Sequence, residues 1–436
     1  MHRSLILFLA GISLPHGLCR AQSLTAERRE SLRAEILANF FVPDPLPSLN
    51  SVTHRRFKPA PGVVAEAVTY ATQFGTRVPA ILYLPKPKPE TATGRIPGFI
   101  VVNGHGGDKY SWYSYYSGIL YAQAGAAVLT YDQAGEGERN ASRQSGTRAH
   151  DQLKGDDVLA RRLAGLMMTD VMQAVSYLIS RPEVDGQRIG AAGYSMGSFV
   201  LALTGAVDLR LRACVLVGGG NLDGVDGYWD SSKPMCQGLP YRSLRFLGDR
   251  GAVIYALHAS RGPTLIYNGL ADSVVAIDKH GEAFFAGLRQ RTIRLHGGDD
   301  GVFDTGFAAR ASHRPYFLTQ PVALWLEKNL DLPSWTAESV AAMPTTHIAQ
   351  WAKEYNIHID KLYATEEREG GTLALGSDIP GFQREDLSVF TPEQWLSHKH
   401  ELIFETWVDA ARLSAPPPQC TPGKTVPEQA IADRRK

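Results

Sequence analysis

From residue 62 onward, short β-rich or apolar runs alternate with longer stretches whose apolar residues recur at helical spacing. The runs at 63–70, 78–84, 98–102, 126–131, 189–193, 213–217, 264–267 and 292–295 read as strands. Helices are expected between them, over 113–124, 156–180, 198–205, 276–290 and 315–329. Short apolar strands alternating with helices predict an α/β fold: a mostly parallel sheet with helices on both faces. Gly75 supplies the turn between the first two runs, so the sheet should open with a hairpin-like edge.

The flanking regions lack this rhythm. Residues 25–40 read as a charged amphipathic helix that the proline-rich run 42–47 ends. Residues 218–257, rich in Gly, Asp, Tyr and Trp, look like an insertion after a strand, placed to overhang a site at the strand ends. Beyond residue 332 the pattern becomes short helices and loops, with a polar, proline-rich tail after Ala415 expected to be disordered. The apolar run 5–14 follows His2 and Arg3, and it is shorter than the ~20 residues that cross a bilayer. With small residues at Cys19 and Ala21 it reads as an export signal cleaved after Ala21, giving a secreted or periplasmic protein. No later segment reads as a membrane span. The expected division is therefore 1–21 signal, 22–61 helix and linker, 62–331 main domain and 332–436 C-terminal extension.

Composition narrows the partners. The 436 residues are 44% hydrophobic, enough for one large core, and 45 basic against 44 acidic side chains give a net charge of +1. That balance argues against nucleic acid or an anionic membrane and toward a neutral or small-molecule substrate. Three of the 4 cysteines follow the expected signal. Cys214 lies in an apolar strand and reads as a buried thiol, so a disulfide would have to join Cys236 to Cys420.

The chemistry centres on Gly193-Tyr194-Ser195-Met196-Gly197, between a predicted buried strand and a helix. A serine hydroxyl needs a base to remove its proton as it attacks, and it must project where substrate can reach it. A tight strand-to-helix turn achieves the second condition, and its flanking positions leave no room for a Cβ, hence the glycines. Ser195 is the expected nucleophile. Met196 should offer one backbone N–H to an oxyanion, and Gly106 or Gly107, in the glycine-rich loop after the strand at 98–102, should offer the second. His105 in that loop reads as a loop-fixing residue rather than the base, because it precedes the nucleophile. Asp272 follows a buried strand in a glycine-containing turn and is the expected acid, ahead of Asp278, Asp299 and Asp300. His313, before the last helix, is the expected base, with His296 at the end of the run 292–295 as the fallback.

In order and context, Ser195, Asp272 and His313 resemble the α/β-hydrolase superfamily. The lead into the turn, Ser180-Arg181-Pro182-Glu183-Val184-Asp185-Gly186-Gln187-Arg188-Ile189-Gly190, resembles the acetyl xylan esterase and prolyl-oligopeptidase-like branch, related to dienelactone hydrolases. So does Tyr131-Asp132-Gln133-Ala134-Gly135-Glu136-Gly137. The resemblance covers residues 62–330, and it departs at Ser198, where that branch often has a glycine. It implies a serine esterase working through an acyl-enzyme with no cofactor and no metal, carbohydrate esters being the first substrate class to test. The alternatives are a prolyl-oligopeptidase-type peptidase, which usually carries a β-propeller ahead of its hydrolase domain, and a non-catalytic binding protein of the same fold. Aromatic residues Tyr110, Trp112, Tyr113, Tyr115, Tyr116, Tyr228 and Trp229 are candidate sugar platforms, although aromatics at helical spacing are more often core. The oligomeric state is not legible in the sequence.

Overall fold

The structure, a computed structural model, describes residues 23–223, 227–309, 311–314, 316–354, 356, 372–373 and 382–414. The predicted alternation folds into a nine-stranded sheet of order β1-β2-β3-β5-β4-β6-β7-β8-β9. Its strands are β1 (Val52–Ala60), β2 (Val63–Ala71), β3 (Arg77–Pro85), β4 (Ile96–Val102), β5 (Ala127–Tyr131), β6 (Val184–Tyr194), β7 (Leu211–Val217), β8 (Thr264–Gly269) and β9 (Asp304–Ala308). The first three strands and β5 pair antiparallel. From β5 across to β9 every pairing is parallel. Strands β4, β5 and β7 are buried almost throughout, which is why they read as continuous apolar runs.

Helices cover both faces. On one lie α1 (Ala26–Asn39), α3 (Asp157–Ser180), α4 (Met196–Val207), α5 (Arg250–Ala259) and α6 (Ile277–His296), with α9 (Phe404–Leu413) from the C-terminal segment. The other is covered by α2 (Trp112–Gln123), α7 (Gln320–Leu330) and α8 (Pro392–Leu402). By length and composition α3 is apolar enough to cross a bilayer, contrary to the expectation that no later segment would be. It is a core helix: 83% of its apolar window is buried inside the protein.

Two strand assignments change. The run Thr292 to Leu295 is not a strand but the last turn of α6, where Phe285, Leu288 and Thr292 recur at helical spacing on the buried face. A four-residue alternation of apolar and polar residues fits either period, and packing against the core decides for the helix. The last strand of this sheet is β9, a partly exposed edge whose sequence DTGFA carries no apolar signal. Strand β1 lies within the stretch expected to be linker, again as an exposed edge, with burial confined to its last two residues. The expected export signal, residues 1–21, lies outside the described residues.

The C-terminal segment is anchored by polar groups. The Glu138 carboxylate accepts the N–H groups of Val389 (2.9 Å) and Phe390 (3.0 Å), and the Trp395 indole donates to the Glu138 carbonyl at 2.8 Å. The Trp407 indole donates to Gln73 Oε1 at 3.2 Å.

Candidate active site

Ser195 sits between β6 and α4 with φ 56° and ψ −116°, a backbone conformation that a non-glycine residue adopts only when its surroundings hold it there. They do so closely. A Cβ on Gly193 would lie 2.3 Å from the Gly197 carbonyl oxygen, and one on Gly197 would lie 2.2 Å from that of Val102. The Ser195 N–H donates to the Val217 carbonyl of the neighbouring strand at 2.8 Å, and the Ser195 carbonyl accepts from the Ser198 hydroxyl at 2.8 Å. Ser198, the departure from the resembled pattern, thus braces the turn. Met196 opens α4, so its N–H points out of the first helical turn, where negative charge is favoured.

Asp272 and His313 meet. Imidazole Nδ1 of His313 lies 2.7 Å from Asp272 Oδ2, and both side chains are buried. The other carboxylate oxygen, Oδ1, accepts the N–H groups of Val274 (2.9 Å) and Val275 (3.3 Å). An acceptor-only carboxylate beside Nδ1 selects the tautomer with the proton on Nδ1 and leaves Nε2 as the basic nitrogen. The imidazole lies against Tyr194, the residue before Ser195, with ring centroids 4.9 Å apart. It also fills the space over Gly218, where a Cβ would come within 2.6 Å of its Cε1. Three strand ends, of β6, β7 and β8, therefore converge on one point. The competing carboxylates Asp278, Asp299 and Asp300 are exposed.

His296 closes α6, followed by Gly297 in the left-handed conformation at φ 93°. It is not at a strand end, as its selection as fallback assumed, and Asp272 takes His313 as its imidazole partner.

The glycine-rich loop after β4 departs from expectation in one respect. The Gly107 N–H donates to the Gly104 carbonyl at 2.9 Å, so Gly107 spends its donor inside the turn and is not free for an oxyanion. The Gly104 N–H donates to the Tyr113 hydroxyl at 3.1 Å. Gly106 keeps its glycine requirement, with φ +73°. The His105 imidazole is engaged with Cys236 and Asp151. Cys236 is a free buried thiol, and its expected partner Cys420 lies outside the described residues.

The aromatic residues of α2 and its approach are core: Tyr110, Trp112, Tyr113, Tyr115 and Tyr116 are all buried, as is Trp229. Their hydroxyls position backbone, Tyr113 on Gly104 and Tyr116 on the Leu373 carbonyl at 2.7 Å. Sequence reasoning missed a buried ionic group behind the same loop. Lys109 Nζ contacts Asp132 Oδ2 at 2.5 Å and Glu138 Oε2 at 2.9 Å, and all three side chains are fully buried. Burial works against the Lys109 cation, but the two carboxylates outweigh it and hold the ammonium above its ordinary value. No spacing in the sequence joins residues 109, 132 and 138 to Val389 and Phe390.

Known proteins bear out the architecture. A profile described as "Alpha/beta hydrolase family" matches residues 99–361, more than half of the chain. A Bacillus subtilis (strain 168) protein named "Putative hydrolase YtaP" is 30% identical over 139 residues, which are 29% of this chain and 45% of that protein. The chain thus matches less than half the length of this relative. Among solved structures, methylesterase BT1017 superposes with a TM-score of 0.52 at 19% identity, over 86% of this chain and 78% of that one. A glucuronoyl esterase from Solibacter usitatus does so with a TM-score of 0.50 at 15% identity, over 72% of this chain and 93% of its own. At such identities the superpositions speak for the fold, and the profile speaks for the family: the chain belongs to the alpha/beta hydrolase family.

Proposed function

We propose that this protein is an exported serine hydrolase of carboxylic esters, acting on carbohydrate esters. The observation that carries the reading is the buried His313–Asp272 pair, 2.7 Å apart and packed on Tyr194 beside the strained Ser195. Ser195 Oγ attacks the ester carbonyl while His313 Nε2 takes its proton, and Asp272 stabilises the imidazolium that forms. The oxyanion receives the Met196 N–H and a second amide from the loop, from Gly106 or His105, since Gly107 donates to the Gly104 carbonyl and Gly104 to the Tyr113 hydroxyl. His313 then protonates the departing alcohol and activates the water that releases the acid. The carbohydrate assignment leans on the expected export signal, on the motif resemblance to acetyl xylan esterases, and on structural neighbours named as a methylesterase and a glucuronoyl esterase.

A fluorophosphonate probe tests the nucleophile: labelling at Ser195 is expected, and unlabelled folded protein would end the reading. Turnover of p-nitrophenyl acetate and release of acetate from acetylated xylan are expected. Cleavage of a prolyl peptide without ester turnover would move the protein to the peptidases.

A further inference from the structure

Behind the glycine-rich loop, four side chains from three segments turn their donor atoms toward one point. His105 comes from the loop itself, His150 and Asp151 from the single helical turn Ala149–Gln152, and Cys236 from the turn Pro234–Gly238 between β7 and β8. One donor atom from each lies within 4.8 Å of all the others. His105 Nε2 is 3.1 Å from Cys236 Sγ and 3.4 Å from Asp151 Oδ1. Cys236 Sγ is 3.1 Å from Asp151 Oδ1, and His150 Nε2 is 3.7 Å from the same oxygen. A tetrahedral zinc ion with metal–ligand distances of about 2.0–2.3 Å separates its ligand atoms by roughly 3.3–3.7 Å, so the spacing fits with small adjustments.

His150 supplies the independent sign of a ligand. Its side chain is fully buried, and its Nδ1 lies 3.1 Å from the Ala134 carbonyl oxygen, which only an N–H can satisfy. The proton is therefore on Nδ1, and Nε2 presents a lone pair into the cluster with no hydrogen-bond partner among the described residues. Asp151 Oδ2 is likewise buried and unpartnered. An imidazole whose far nitrogen is held by a backbone carbonyl is the arrangement that orients a metal ligand. Left without an ion, the cluster keeps His150 Nε2 as a buried acceptor with no hydrogen bond among the described residues, a costly state that a metal bond relieves.

We propose that His105, His150, Asp151 and Cys236 form a closed four-ligand site for a structural divalent zinc ion. Binding replaces the Cys236 S–H···Asp151 hydrogen bond with a thiolate–zinc bond and releases the thiol proton to solvent. All four positions are taken by protein, so the ion does no chemistry on the ester; it ties the loop that carries His105 to the segments after β5 and β7. The sequence reading foresaw no metal because no two of the three segments form a recognisable ligand spacing.

The test is metal content of the full-length protein, purified without chelator or affinity-metal resin, incubated with zinc and desalted. One zinc ion per chain is expected by elemental analysis. Replacing zinc by cobalt(II) should give the thiolate charge-transfer and strong visible bands of a tetrahedral site with one sulfur. Both signals should be lost in Cys236→Ser and in His150→Ala, with melting of the wild type, but of neither variant, lowered by a chelator. Wild-type protein that holds no zinc after this treatment, or cobalt spectra unchanged by Cys236→Ser, would overturn the proposal, whether or not the variants fold.

Discussion

Two histidine-centred groups flank the glycine-rich loop, and they differ in what surrounds the imidazole. At His313 a single carboxylate engages Nδ1, and its second oxygen is already occupied by the N–H groups of Val274 and Val275. Among the described residues nothing there offers a cation a full shell, and Nε2, on the far side of the ring from the carboxylate, is suited to carrying a proton. At His150 the far nitrogen is held by a carbonyl, and the near one shares its space with a second imidazole, a thiol and a carboxylate. An imidazole beside a carboxylate therefore does not define a role by itself. The number of lone pairs that converge, and the group that fixes the far nitrogen, separate a proton carrier from a metal cradle.

The largest expected effect breaks the first group. Ser195→Ala and His313→Ala should each lower kcat for p-nitrophenyl acetate on the order of 10⁶-fold, because nucleophile and base act as a unit. His296→Ala should leave it unchanged; loss of activity there with His313→Ala active would reverse the assignment of the base. Asp272→Asn should cost about 10⁴-fold by presenting the wrong tautomer, with the fold intact by circular dichroism. Gly218→Ala acts on position alone. Its Cβ would press on His313 Cε1 at 2.6 Å and strain a φ of +62°, so kcat should fall about 10²-fold with KM little moved. The smallest effect on chemistry, but a clear one on stability, is expected at Lys109→Met. It leaves Asp132 and Glu138 buried without their cation, which should cost about 3–5 kcal/mol in urea unfolding. Because Glu138 also holds Val389 and Phe390, faster hydrogen exchange in residues 382–414 should accompany it.

Legibility followed burial. Strands β4 to β8 were readable because both faces are covered, which writes continuous apolar runs into the sequence. The edges β1 and β9 were not, since an exposed edge strand is held by backbone pairing that any polar sequence can make. The run 292–295 failed for a related reason: four residues do not distinguish a period of 2 from one of 3.6, and only the Phe285–Leu288–Thr292 face against the core does.

At the site, the sequence alone determined the turn around Ser195, because the glycines at 193 and 197 are required by clashes between residues near in the chain or in the adjoining strand. It also fixed the order of Ser195, Asp272 and His313 along the chain. Tertiary structure alone decided that Asp272 takes His313, that Gly107 spends its N–H on Gly104, and that His105 joins His150, Asp151 and Cys236. Those pairings join residues up to 131 positions apart, as His105 and Cys236 are, and a linear pattern records such contacts only where packing imposes a periodicity on it.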